Sequence, residues 1–157
     1  LRNLDFYLKR KSNRVNKLFG KFLWIDSKII ENANFNFMKT TPEHNEKFVK
    51  MTFASVYPHY INKVERKGKS KAELLQVIEW LTGFDEVQLN NLAAENVTFE
   101  TFFDRATLHP NAHLITGSIC GYRVEELINP LTRNVRYLDK LVDELANGKS
   151  LEKILRK

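Results

Sequence analysis

The sequence predicts an all-α domain, an irregular orthogonal bundle of six or seven helices. Three observations carry this. Apolar residues, mostly Leu, Phe and Ile, recur at three- and four-residue spacings. Capping boxes, prolines and glycines punctuate the chain at helix-length intervals. No stretch shows sustained alternation with β-branched residues, so no sizeable sheet is expected.

The elements follow in order. Pro58 suits the first turn of a helix, where its missing N–H would have no partner anyway. That helix runs to Lys67, with Tyr57, Ile61 and Val64 inward and Gly68 in the left-handed position beyond its end. Ser70 and Glu73 form a capping box that opens a helix to about Thr82, with Leu74, Leu75, Ile78 and Leu81 on one face and Gly83 as its stop. Asp85 and Gln88 form a second box and start a shorter helix to about Glu95. Thr98 caps the next, in which Phe99, Phe102 and Phe103 recur at helical spacing. Pro110 and Asn111 open a short segment that stops at Gly117, and Gly121 precedes a short helix from Tyr122 to Leu127. Asn129 caps a long helix, with Pro130 at its first position and Asn147 at its end. Its stripe of Leu131, Val135, Leu138, Val142 and Leu145 suits core, with a homodimer seam as the alternative. Gly148 closes it, and Ser150 caps a last turn through Leu151, Ile154 and Leu155.

The domain is expected over residues 38–157, behind an N-terminal extension over 1–37. The formal charge of +6 is unevenly placed. Residues 1–37 hold eight basic and three acidic groups, which leaves the rest of the chain at +1. A near-neutral domain offers no global field to nucleic acid. Asn, Lys, Phe and Ile make up 19 of the first 37 residues, and all four can be written with A and T codons. Met38 therefore reads as the start, with upstream read-through before it. The competing reading is a basic amphipathic helix for an anionic membrane surface or a targeting peptide, since Val15, Leu18, Phe19, Phe22 and Leu23 share a face among Arg14, Lys17 and Lys21. Cys120 is the single cysteine, which excludes an intrachain disulfide and favours a reducing, cytoplasmic setting. No apolar run approaches the roughly 18 residues of a membrane-spanning helix.

Several motifs, in this order, resemble one family. They are Phe53-Ala54-Ser55-Val56-Tyr57-Pro58, Trp80-Leu81-Thr82-Gly83, Phe99-Glu100-Thr101-Phe102-Phe103, Cys120-Gly121-Tyr122-Arg123-Val124-Glu125 and Arg136-Tyr137-Leu138-Asp139-Lys140-Leu141. Together they resemble the bacterial family called domain of unknown function 2200, over nearly all of residues 38–157. The resemblance implies a small, helical, cytoplasmic bacterial protein and supplies no activity.

The chemistry then rests on three clusters. Gly117, Ser118, Gly121, Tyr122 and Arg123 form a loop expected to lead into a helix, where backbone N–H groups and a guanidinium would converge on a small anion. The competing reading pairs Arg123 with Glu126 or another acid. Cys120 lies within that loop, and with His109 or His113 as base it would make a thiol nucleophile. A small buried cysteine at a turn is the plainer reading. The same three residues offer zinc only three ligands, and Pro110 puts His109 out of step with His113, so no metal is expected. Lys63, Arg66, Lys67, Lys69 and Lys71 cluster about one turn and suit phosphate contacts. The helix after them carries Glu73, Gln76 and Glu79, which argues for a solvated turn instead. Arg136 and Asp139 read as a surface i, i+3 pair. The favoured function is a non-enzymatic binding or interaction module with an anion site at Gly117–Arg123 and no cofactor. The alternatives are a thiol enzyme or redox protein centred on Cys120, and a nucleic-acid binder using Lys63–Lys71.

Overall fold

A computed structural model describes residues 42–157. The expected start at Met38 and the amphipathic segment Val15–Leu23 lie outside the described residues. Seven helices, α1 (Pro42–Lys50), α2 (Phe53–Glu65), α3 (Lys71–Thr82), α4 (Glu86–Ala94), α5 (Phe99–Arg105), α6 (Pro130–Ala146) and α7 (Leu151–Ile154), carry nearly all the regular structure. Between α5 and α6 come a 3₁₀ turn (Pro110–Leu114), a hairpin of β1 (Ser118–Ile119) and β2 (Tyr122–Arg123), and a second 3₁₀ turn (Val124–Glu126). The all-α class holds, with this small hairpin inside it.

Local chemistry explains most helix ends. The Ser70 hydroxyl accepts from the Glu73 N–H while the Glu73 carboxylate accepts from the Ser70 N–H, and Asp85 and Gln88 repeat the exchange at α4. Gly83 ends α3 with φ at +74°, where a side chain would be strained, and donates its N–H to the Glu79 carbonyl at 2.7 Å. The Asn129 side chain accepts from the Thr132 N–H and so caps α6. Ser150 precedes α7 but makes no side-chain cap bond.

Helix α6 organises the domain. It packs against α1, α2, α3, α5 and α7, and against β1 and the second 3₁₀ turn. Its buried face is wider than the five-residue stripe. Thr132, Tyr137, Leu141 and Ala146 are buried along with Val135, Leu138, Val142 and Leu145. That stripe is therefore the core of the chain itself. A second centre of packing is aromatic. The Phe53 ring stacks on Phe102 at 4.5 Å and on Tyr57 at 5.0 Å, and Phe84 and Phe103 meet Phe102 edge-on. Such pairs add about 0.5–1.5 kcal/mol each beyond the burial of their area. At the C-terminus both Arg156 terminal nitrogens lie 2.8 Å from the Glu144 carboxylate, which ties the chain end to α6.

Two expectations are corrected, and a helix that the sequence did not signal is added. Helix α2 starts at Phe53, five residues before Pro58, so Pro58 lies in its second turn. Its start is fixed at long range, where Phe53 N–H donates to Val97 and Phe99 N–H donates to Met51, a bridge between Thr52 and Thr98. Proline within a helix costs about 3 kcal/mol, and burying Phe53, Tyr57, Tyr60 and Val64 on one face offsets that. Helix α1 precedes it, held to α6 by a hydrogen bond from the Thr132 hydroxyl to the Asn45 side chain. The helix expected from Tyr122 to Leu127 is instead β2 followed by the 3₁₀ turn. Cys120 and Gly121 both take positive φ, +50° and +83°, which turns the chain back as a type I′ hairpin.

Candidate functional site

The hairpin is short, and its register pairs Ser118 with Arg123 and Ile119 with Tyr122. Lys140 of α6 donates to the Ser118 carbonyl at 3.1 Å, which seats the hairpin on the long helix. The Gly117 N–H donates to Glu125 Oε2 at 2.9 Å, and the Arg123 guanidinium donates to Oε1 of the same carboxylate. Arg123 Nε also lies 3.6 Å from a Glu126 oxygen. Two of the donors that the sequence offers to an external anion, the Gly117 N–H and the Arg123 guanidinium, are thus engaged by the chain's own acid. The N–H groups of Glu125 itself and of Gly117, and then Arg123, hold that carboxyl down from 4.5 to about 2.

The two histidines have partners of their own. His109 stacks on Trp80 at 4.3 Å, and its Nδ1 accepts from the Asn111 N–H. His113 Nδ1 lies 2.7 Å from the Pro110 carbonyl. Among the described residues no group of three His, Cys, Asp or Glu side chains is placed to hold a metal ion. Cys120 is exposed at the hairpin tip, which corrects the expectation of a buried thiol. It is exposed because the two-residue turn projects it beyond the last pair of the hairpin. Of the basic cluster, Lys63 pairs with Asp143, Lys69 with Glu73 and Lys71 with Glu86, all within 3.0 Å. Arg66 and Lys67 lie exposed at the turn.

A different site emerges where α1, α2, α6 and the hairpin tip meet. A cavity of about 330 Å³ lies there. Phe48, Met51, Val56, Ile119 and Val135 give it apolar walls, with buried Phe99 behind them. Tyr60, Cys120, Arg136 and Asp139 supply polar groups, and Lys47 and Lys63 add two cations. The Tyr60 hydroxyl donates to Asp139 Oδ1 at 2.6 Å, and Arg136 Nη1 donates to Oδ2 at 2.8 Å. This pair lies off the surface that the sequence suggested for it, because its side chains are only 13% and 19% exposed. Burial, and next the Asp139 charge, push the Tyr60 phenol well above its ordinary value, so it stays a donor. The Arg136 guanidinium lies 5.1 Å from the centre of the Phe48 ring and 5.7 Å from that of Tyr122. Its Nε is buried without a hydrogen-bond partner.

Sequence reasoning missed Tyr60 as a polar partner and misplaced Arg136 and Asp139. The signal for Asp139 was present. It lies four residues after Val135 and three before Val142, so a helical wheel sets it beside two buried valines. Tyr60 carried no such signal, since its partner is 79 residues away.

A family model described as "Uncharacterized protein conserved in bacteria (DUF2200)" matches residues 47–156. The structure titled "Crystal structure of uncharacterized protein SP1917" is similar at 43% identity and a TM-score of 0.66, over 70% of this chain and 91% of that one. No curated protein matches the chain. Among the described residues no helix is long and apolar enough to cross a membrane.

Two predictions follow from the hairpin. Because the Glu125 carboxyl is held down to about 2, its contribution to stability is full above about pH 4.5 and fades as pH falls towards 2. Glu125→Gln is expected to lower stability at pH 6 and to flatten the loss between pH 4.5 and 2, read by urea unfolding at each pH. Cys120 holds a positive φ at a turn position that favours Asn or Gly. Cys120→Asn is therefore expected to raise stability by about 1 kcal/mol, measured in the same way.

Proposed function

The chain belongs to the DUF2200 family of bacterial proteins, and from that premise we propose that it is a non-enzymatic binding module that holds a small molecule in the cavity beside Arg136. One observation supports this above the rest. A half-buried Arg136–Asp139–Tyr60 network opens on apolar walls, in a cavity of about 330 Å³. Ligand sites have this character, mostly apolar with a few convergent polar groups. Single surface ion pairs contribute little to stability, and partly buried ones demand desolvation. A network of this kind at a cavity wall therefore suits recognition better than it suits folding.

The same geometry argues for binding over catalysis. Both Asp139 oxygens are engaged, one by a phenol and one by a guanidinium. Tyr60 keeps its proton and spends it on Asp139. The groups that would do acid–base work are thus committed to one another. The hairpin shapes one side of the cavity through Ile119 and Cys120, so the loop singled out in the sequence keeps a part in the site.

The test is a fragment screen by ¹H–¹⁵N NMR on the full chain. The expected hits perturb the amides of Tyr60, Ile119, Cys120, Arg136 and Asp139 together. Hits confined to other surfaces, or none at millimolar fragment, would sink the reading.

A further inference from the structure

The polarity of the ligand can be read from what the cavity leaves uncommitted, on the premise that the cavity binds one. Charged residues border it, yet the surface it presents is predominantly apolar. Met51, Val56 and Ile119, each half-buried, line it together with Phe48. The charged groups are engaged with one another or solvated. Tyr60 and Arg136 Nη1 each donate to one Asp139 oxygen, at 2.6 and 2.8 Å. Arg136 Nε is sealed from solvent, and the guanidinium lies over the Phe48 and Tyr122 rings. Lys63 is paired with Asp143 at 2.9 Å. Lys47 is exposed, so its ammonium keeps its water while its stem can lie along apolar surface.

A charged ligand would give up its hydration on entering and find little in return. An ion held at the rim by an exposed lysine gains little as well. A molecule rich in hydroxyls meets the same loss, since each one brought against these walls goes unpaired. The site thus discriminates by what it refuses. Shape narrows the choice further. A flexible chain loses conformational freedom on binding, and a rigid ring has none to lose. The Met51 thioether adapts to the outline of a ring and makes favourable sulfur–aromatic contacts. An apolar cavity of about 150 Å³ holds benzene, so one of about 330 Å³ admits a second fused ring.

We propose that the cavity takes a neutral, fused-ring aromatic molecule, its rings against Met51, Val56 and Ile119. The Arg136–Asp139–Tyr60 network borders the ligand without bonding to it. Affinity comes from apolar area removed from water, and selectivity from the absence of a free polar partner.

The experiment titrates the full chain with benzofuran, benzofuran-2-carboxylate and benzofuran-2-ylmethylammonium at one ionic strength. NMR follows the amides of Tyr60, Ile119 and Cys120, and NOEs from the ring protons to the Met51, Val56 and Ile119 methyl groups place the ligand. Benzofuran is expected to show those contacts and to bind at least tenfold tighter than either charged analogue. Val56→Phe, at a half-buried position, is expected to fill the space and abolish binding. Should that variant fail to fold, Val56→Ala carries the test, with benzofuran expected to weaken several-fold. Lys47→Gln is expected to leave benzofuran unchanged. A charged analogue that binds in the cavity within tenfold of benzofuran, or tighter, would overturn the neutral assignment and leave the cavity reading standing. Loss of benzofuran binding in Lys47→Gln, or unchanged binding in Val56→Ala, would overturn it too. If no probe moves the cavity amides, both this inference and the cavity reading fall.

Discussion

The structure depends on the burial of one long helix. Five other helices and the hairpin pack on α6, so its buried face extends well past a simple apolar stripe. A face this wide takes in residues at its margins whether or not they are apolar. Asp139, beside Val135 and Val142 on the wheel, is drawn in to 19% side-chain exposure, and Arg136 to 13%. A carboxylate in that position is costly unless it is paired and hydrogen-bonded. Arg136 answers one oxygen from one turn away, and Tyr60 answers the other from α2. The burial of α6 therefore holds the polar network in place, and the cavity lies where α1, α2 and the hairpin meet around it.

The hairpin contributes by shape rather than by charge. Its strongest electrostatic feature, Glu125 held by Gly117 and Arg123, is closed on itself. That closure fixes the loop, and Lys140 fixes it to α6. Ile119 and Cys120 then stand against the cavity from a rigid turn. Cysteine is an expensive residue for a left-handed turn position, where Asn or Gly fits more easily. The turn keeps a slender apolar side chain at the cavity wall at some cost in local backbone energy.

Much of the fold was legible in the sequence because its helix signals are local. Ser70, Asp85, Thr98 and Asn129 cap the helices they were expected to cap, and Gly83 and Gly148 stand just past the ends of α3 and α6. Failures came where a boundary is set at a distance. The start of α2 rests on a bridge to the start of α5, and Pro58 drew the expected start forward. Helix α1 lies in a polar stretch whose helicity comes with its packing on α6 and α5. Gly117 and Gly121 signalled a turn correctly, but the same signal serves a hairpin and a helix entrance alike. The candidate site was the least legible part. Its members come from α1, α2, α6 and the hairpin, with Phe99 of α5 behind them, and only Cys120 and Lys63 among them carry a chemical reading in the sequence.

The central claim is that the cavity beside Arg136 is a binding site organised by Asp139 and Tyr60. A crystal structure of the full chain, soaked with and without small apolar fragments, tests it most directly. The account predicts a fragment in the cavity against Phe48 and Val56, with the Tyr60–Asp139 hydrogen bond unchanged between the two crystals. A cavity filled by Phe48 in both crystals, or fragments held only on other surfaces, would contradict it.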